Sequence, residues 1–391
     1  DAVHAVATTV GFDVTGTATI DTDYSTAFSS KGPSTVAGGN GSGSATNQLY
    51  SPDGVHVDSS GNIYVAELAN HRVTKWSPGS TEGVIVAGGN GQGSELNQLY
   101  SPAGVHVDSS GNIYIAELQN HRVIKWAPGA TSGTIVAGVN GQGSELNQLH
   151  SPSEVHVDSS GNIYIADLNN HRVIKWAPGG TSGTVVAGGN GRGDASNQLS
   201  IPSEVYLESS GNIYIGDQGN NRVMKWAPGA TQGTVVAGGN GLGSASNQLS
   251  GPNGVYVDSS GNIYVADQRN HRIMKWGTTY SDGGTMVAGT GSPGSGTNEL
   301  HYPFGLDVDS LGNIYISDYD NQRIQKVQIA PEITIAAGST TGTLTLTGTE
   351  DDPFIDEEDE TIILTPSATK GTLSSSDATT LTLLNNSITL T

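Results

Sequence analysis

The chain contains no cysteine, only four phenylalanines, and 16 Lys and Arg residues against 37 Asp and Glu among 391 residues. Without cysteine there is no disulfide framework and no thiolate metal site. The formal charge of −21 excludes the basic surface needed to neutralise phosphates, so no nucleic-acid partner is expected. It also argues against adhesion to an anionic membrane. The longest apolar runs are about five residues, too short for a spanning helix, so no membrane insertion is expected either. A start at Asp1 reads as a mature form or a segment of something longer. Glycine is what abounds, with 55 residues. Scattered, it would mean low complexity; at fixed phase, it would mean turns.

The phase is fixed. Gly-Asn-Ile-Tyr begins at Gly61, Gly111, Gly161, Gly211, Gly261 and Gly312, four spacings of 50 and one of 51. Each unit holds four short β-branched or aromatic runs, in the first copy Gly54–Asp58, Asn62–Glu67, Arg72–Trp76 and Gly83–Gly88. Ser-Ser-Gly, Ala-Asn-His and Pro-Gly punctuate them. No segment carries a sustained 3.6-residue apolar period, so helix is nearly absent. Four strands every 50 residues describe propeller blades. Val-Ala-Gly begins at Val36, Val86, Val136, Val186, Val236 and Val287, with none after the last Gly-Asn-Ile-Tyr. The outer strand of blade six is therefore Thr35–Gly38, paired with Arg323–Val327, a clasp that removes an open edge. A local strand at 333–338 is the rival closure.

The phrase Gly-Val-x-Val-Asp-x-x-Gly-Asn-Ile-Tyr-Val-Ala-Asp-x-x-Asn-His-Arg-Val-x-Lys-Trp resembles the NHL repeat, in six copies over about residues 31–330. The resemblance implies an all-β, six-bladed β-propeller. Copy six departs at Asn321-Gln322-Arg323 and at Val327, where the others carry Trp. Residues 1–30 and 331–391 do not repeat and alternate as strands do. Gly16–Tyr24 and Glu350–Thr361 resemble consecutive parts of a Calx-beta domain, an immunoglobulin-like sandwich. The expected arrangement is a propeller at 31–330 inserted in a sandwich formed by 1–30 and 331–391, with neighbouring Ig-like domains of a longer chain as partners. The sandwich's first strand is not found before Asp1, and the final Ser-Ile-Thr-Leu-Thr resembles the start of another such domain.

Eight carboxylates crowd residues 350–360. Such repulsion calls for water or a hard cation, and Ca²⁺ takes six to eight oxygens from a flexible loop. The Calx-beta resemblance implies Asp23, Glu350, Asp351, Asp352 and Glu357 as the ligands. The alternative is a solvated acidic turn. The departures are the absent first strand and Asn385 and Asn386, where some relatives carry aspartates.

Inside the repeat, His56, His106, His156, Tyr206, Tyr256 and Asp307 form a row on the innermost strands. It reads as structural or as a wet channel lining, with a three-His zinc site as the alternative. Asn70–Arg72 and its copies are expected to fix their own turn. Glu67, Glu117, Asp167, Asp217, Asp267 and Asp318 can pair with the repeated arginines. Arg192-Gly193-Asp194 spells an integrin tripeptide but reads as drift in a variable slot. Some six-bladed relatives are lactonases or lyases, whose sites need unlike residues converging from different blades. Near-identical blades argue against catalysis.

Variation concentrates in the loops between strands two and three and in those leading into strand one, which share a face in this fold. That face holds Gln119, Asn169, Arg269, Phe304 and Tyr319, a polar surface with aromatic and cationic groups suited to a glycan or surface protein. The expectation is a non-catalytic segment of a large secreted adhesin on a bacterial cell surface, similar to those of gliding bacteria. The alternatives are a propeller enzyme and a plain structural spacer. The charge divides as −4, −8 and −9 over residues 1–30, 31–330 and 331–391, so acidity lies mainly in the flanks.

Overall fold

The structure is a computed structural model that describes residues 33–328, with short strands inside 14–15, 23–25, 333–334, 343–344, 361–364, 367–370, 379–382 and 388–389. The chain divides into two units, Gly32–Val327 and a second formed by Asp1–Lys31 with Gln328–Thr391. In the second, Val14–Thr15 pairs in parallel with Ile333–Thr334, and Asp23–Ser25 pairs antiparallel with Ser367–Lys370. Thr361–Leu364 pairs with Thr379–Thr382, and Thr343–Leu344 with Ile388–Thr389.

The first unit is a six-bladed β-propeller of four-stranded antiparallel sheets. Blade one runs outward through Pro52–Val57, Ile63–Glu67, Arg72–Trp76 and Val84–Gly88. Blades two to five repeat this order about every fifty residues. Blade six uses Pro303–Val308, Asn313–Asp318, Arg323–Gln328 and, as its outer strand, Ser34–Gly38. The clasp register sets Arg323 opposite Gly38 and Ile324 opposite Ala37. No sheet of the ring is left without its fourth strand, so the expected closure holds and the rival at 333–338 does not supply it. The innermost strand starts two residues earlier than expected, at Pro52; a bulge between Pro52 and Val55 lets it pair with Glu67.

Second strands such as Ile63–Glu67 are buried along their whole length, which is why they lack polar alternation. The core lies between blades. Tyr64, Val73 and Ala87 of blade one pack on Val105, Ile115 and Trp126 of blade two, and Val65 and Trp76 pack on Tyr315 and Ile324 of blade six. Truncating a residue as buried as Ile115, at 0% exposure, costs about 2–5 kcal/mol. Gly38 ends its strand at φ +67, where an added Cβ would sit 2.5 Å from the Gln322 carbonyl and 2.8 Å from Leu49. A β-carbon is excluded there both by backbone conformation and by space.

Each blade carries one buried ion pair that reaches into the preceding connection. The Glu67 carboxylate, 0% exposed, accepts from Arg72 Nε, Asn70 Nδ2, Thr74 Oγ1 and the Tyr50 N–H. Arg72 continues to the Ser44 and Gln48 carbonyls, in the loop arriving from blade six. The same Arg–carboxylate pair recurs at Arg122–Glu117, Arg172–Asp167, Arg222–Asp217, Arg272–Asp267 and Arg323–Asp318, at 2.5–2.8 Å. These are the pairings expected from the sequence. The carboxylate and carbonyls around it offset the cost of burying a guanidinium this deeply.

The residue before each of these arginines does something the sequence reading missed. Asn70 and Arg72 bond the Glu67 carboxylate across their turn, but the backbone carbonyls they hold belong to the preceding connection rather than to the turn itself; His71, at φ 54, turns its ring toward the next blade. Its Nδ1 accepts the Ser101 N–H at 3.2 Å. His121, His171 and His271 take the N–H groups of Ser151, Ile201 and Tyr302 at 3.0–3.2 Å. Asn221 takes the Gly251 N–H at 2.9 Å with its amide oxygen, and Gln322 takes the Ser51 N–H at 2.6 Å across the closure. The Gln322 departure in copy six therefore keeps an acceptor where the others have imidazole. Burial lowers the pKa of all four histidines, with His150 and His301 adding repulsion at His121 and His271 and Arg192 at His171.

Candidate functional site

The inner strands enclose a central cavity of about 260 Å³. One ring of its lining is the row read from the sequence. His56, His106, His156, Tyr206 and Tyr256 follow one another with ring centroids 4.6–5.6 Å apart. Asp307 closes the ring, its Oδ2 3.3 Å from His56 Nδ1 and accepting the Val57 N–H at 2.8 Å. Burial lowers the His106 pKa well below the usual value and brings His156 down to about 4; the neighbouring imidazoles push both the same way. Burial likewise holds Tyr206 above its usual range and lifts Tyr256 to about 12. The imidazoles stand side by side along the wall. Among the described residues no three His, Asp or Glu groups converge closely enough to hold one metal ion.

A second ring was not anticipated. Four blades carry Gly54, Gly104, Gly254 and Gly305 one step before the inner-strand valine or leucine, and blades three and four carry Glu154 and Glu204 there. Glycine fits because inner strands of adjacent blades nearly touch: a Cβ on Gly54 would sit 2.4 Å from the Ala103 carbonyl, and one on Gly305 2.7 Å from that of Asp53. The two glutamate blades solve this by register. Glu154 stands opposite Ala166 and Glu204 opposite Gly216, whereas the glycine blades skip from the proline to the residue after the glycine. A serine precedes each glutamate and spans to the next blade: Ser153 Oγ lies 3.2 Å from the Pro202 carbonyl, and Ser203 Oγ 3.1 Å from that of Pro252.

Both glutamates line the cavity. Burial, then the negative charges of Asp53 and Asp307, raises their pKa values well above normal; Glu154 adds to the effect on Glu204, and a backbone N–H on each opposes it. Burial lifts Asp53 to about 7. Burial thus favours the neutral form of the His106 and His156 imidazoles and the protonated form of the Glu154 and Glu204 carboxyls that line the channel, groups that can donate, accept and exchange protons. The premise that converging positions repeat the same residue does not hold there. The signal was in the sequence, as Ser-Glu against x-Gly in two copies.

The variable face is real. The loops between strands two and three bond to the segments leading into strand one, as in Leu68 N–H to Ser51 O and Tyr319 N–H to Tyr302 O. Gln119, Asn169 and Arg269 are exposed at the same loop position of blades two, three and five. Phe304 and Tyr319 of blade six stack at 4.3 Å and 27°. Their neighbours form a chain of rings across the blade five to blade six boundary: His271 edge-on to Tyr302 at 4.8 Å, and His301 over Tyr302 at 5.4 Å. His301 also meets Asp320 at 3.2 Å. Tyr302, 38% exposed, stands where other blades carry Ser51, Ser101, Ser151, Ile201 and Gly251. The structure therefore places Phe304 and Tyr319 together on blade six and Arg269 on the adjoining blade five, and leaves Gln119 and Asn169 on blades two and three. Tyr302 and His301 were missed because single aromatic changes in a loop carry no period.

The Arg192-Gly193-Asp194 triplet is tied down: Arg192 Nε bonds Ser200 Oγ at 3.0 Å, and the Asp194 carbonyl accepts from Arg222. Of the candidate calcium ligands, Glu350, Asp351, Asp352 and Glu357 lie outside the described residues, and Asp23 begins the short strand Asp23–Ser25.

Repeat phase, blade closure and buried pair together define a six-bladed propeller, and the chain carries NHL repeats. The NHL repeat family profile matches residues 49–76, 149–176, 249–276 and 300–327, in blades one, three, five and six. No curated protein sequence matches the chain. Solved structures share the fold at low identity. A protein of unknown function from Bacteroides thetaiotaomicron aligns at 18% identity and TM-score 0.59, over 76% of this chain and 75% of its own. A gluconolactonase from Xanthomonas campestris aligns at 12% and 0.53, over 72% and 87%. An auxiliary nutrient binding protein from Bacteroides thetaiotaomicron aligns at 15% and 0.56, over 78% and 80%.

Proposed function

We propose that the propeller is a non-catalytic binding module in a secreted bacterial surface protein of adhesin type. It takes a glycan or surface protein on the rim of blades five and six. The observation that carries this reading is the aromatic cluster there, Phe304 and Tyr319 with Tyr302, in a ring whose other blades place no aromatic residue at the Tyr302 and Phe304 positions. An exposed Tyr302 and the half-buried Phe304 and Tyr319 rings, backed by a rigid blade, form a low-entropy contact platform. The test is binding of the whole chain to an array of immobilised glycans and cell-surface proteins, beside the Phe304→Ala, Tyr319→Ala double variant. Loss of signal in the variant with an unchanged melting temperature supports the module. Equal signal from both chains refutes it.

The flanking unit completes the proposal as an immunoglobulin-like spacer interrupted by the propeller, stiffened by Ca²⁺ at Asp23, Glu350, Asp351, Asp352 and Glu357. Its support is the Calx-beta resemblance and the pairing of Val14–Thr15 with Ile333–Thr334. A calcium titration that leaves the melting temperature of the chain flat counts against the metal.

One observation favours a second reading, an enzyme of lactonase or lyase type. The channel presents unlike groups from different blades, Glu154, Glu204, His156 and the His56–Asp307 pair, as a proton-transfer site requires. Turnover of a lactone panel, lost in Glu154→Gln and Glu204→Gln, would establish it over the binding reading. No turnover by the folded chain would remove it.

A further inference from the structure

The positive charges of the propeller are almost all committed. Six arginines are buried against carboxylates. Six lysines lie 5.1–6.0 Å above the Tyr rings of their own blades. Arg192 holds Ser200. Among the described residues this leaves Arg269 as the one cation without a partner, exposed at the end of the turn Gln268–Asn270. Its side chain lies over Gly251, the blade-five counterpart of Tyr302: a Cβ built on Gly251 would be 3.2 Å from Arg269 Nε. Two residues on, His271 accepts the Tyr302 N–H. The guanidinium thus stands on the blade-five loop, its side chain toward Gly251, next to the blade that carries the aromatic cluster. The nearby acid, Asp320, already faces His301.

From this arrangement we propose that the rim ligand is an acidic glycan, its carboxylate held by Arg269 and a sugar ring lying against the Phe304–Tyr319 stack. The inference rests on the binding-module reading and names its ligand class. A guanidinium presents a planar fork of donors that matches a carboxylate. On a chain of net charge −21, an anionic ligand is repelled everywhere except where a cation stands uncompensated. A protein partner fits less well. Stable protein interfaces bury about 1,200–2,000 Å² around an apolar centre. The large exposed hydrophobics, such as Val84, Ile85, Leu96 and Val139, belong to outer strands and outer loops, and this rim offers Tyr302 amid polar groups.

The test uses the whole chain and calorimetric titration with tetragalacturonate and sialyllactose, beside two uncharged controls, fully methyl-esterified tetragalacturonate and lactose. The expected result is that at least one acidic sugar binds about tenfold or more tightly than its uncharged control, weakening with added salt. Arg269→Gln should bring the acidic sugar down to its control. Arg192→Gln, with the same charge change on another loop, should not. Binding of the uncharged sugars at equal strength, unaffected by Arg269→Gln, would overturn the carboxylate assignment and leave the module standing. Binding of neither acidic sugar would overturn the proposal, while a Phe304-dependent protein signal on the array would still uphold the module. Loss of that array signal as well would remove both.

Discussion

Substituting His71 by Asn tests whether the blades are latched by uncharged imidazoles. The substitution keeps an acceptor, since Asn221 does the same task toward Gly251 at the same backbone angle, φ 54. Asn also tolerates the left-handed region. At pH 7.5 the change should cost less than about 1.5 kcal/mol, the worth of one hydrogen bond and the edge contact with Tyr100 at 5.6 Å. The difference appears in acid. Burial lowers the folded-state pKa of His71 below 6.5, and the groups against it are uncharged, the Tyr100 ring and the Ser101 N–H. The unfolded chain thus binds a proton before the folded one does, and stability is lost as pH falls below about 6.5.

One unit below that value the loss for a fully retained neutral imidazole is at most about 1.4 kcal/mol. Partial exposure of the ring reduces this to about 0.5–1 kcal/mol. Asn does not titrate, so His71→Asn should gain about that much on the wild type between pH 7.5 and 5.5. Guanidinium unfolding of both proteins at both pH values measures it as a difference of differences. This cancels the opposing contribution of Asp53, whose pKa near 7 adds stability as pH falls. A zero or reversed difference would refute the latch.

Other outcomes follow from the same geometry. Glu67→Gln leaves the Arg72 guanidinium buried without its counter-charge and should destabilise by about 3 kcal/mol, while Glu67→Asp, which restores the residue of blades three to six, should cost about 1 kcal/mol or less in the same unfolding assay. Gly104→Ala would place its Cβ 2.6 Å from Glu154 Cα; the expected loss is about 1–3 kcal/mol, and a neutral result would show that blades two and three can separate. Because burial raises the Glu154 and Glu204 pKa values, their folded state favours protons and loses stability as pH rises through the folded values. The double change to Gln should therefore raise the melting temperature at pH 8 more than at pH 5, and an equal shift at both would contradict the buried, proton-holding carboxyls.

Much of this was legible before any coordinates. The period of 50, the four runs per unit and the orphaned Thr35–Gly38 specify blades and their closure, because each depends on local patterns and on counting. The arginine–carboxylate pairs were legible for the same reason: five residues apart, they face each other across one hairpin. The histidine latch was not. His71 and Ser101 are 30 residues apart, and nothing in either segment says that a left-handed turn aims one at the other. The channel's asymmetry was written in two copies as Ser-Glu against x-Gly, but its consequence was not legible, since the effect of Glu154 depends on Gly104 of the neighbouring blade.

The sequence by itself determined the repeat, the strand content, the single closing strand and the shortage of positive charge, since periodicity, β-propensity and composition are properties of the chain. Only the tertiary structure decided which residues keep company. Closing six blades into a ring puts the same position of every copy around one axis, where a departure in one blade is read against its neighbours. Within each described blade, by contrast, the hairpin already commits one arginine to a buried carboxylate and one lysine to a tyrosine ring. Closure is the physical reason why Glu154 and Glu204 share a channel and why Arg269 of one blade neighbours the aromatic cluster of the next.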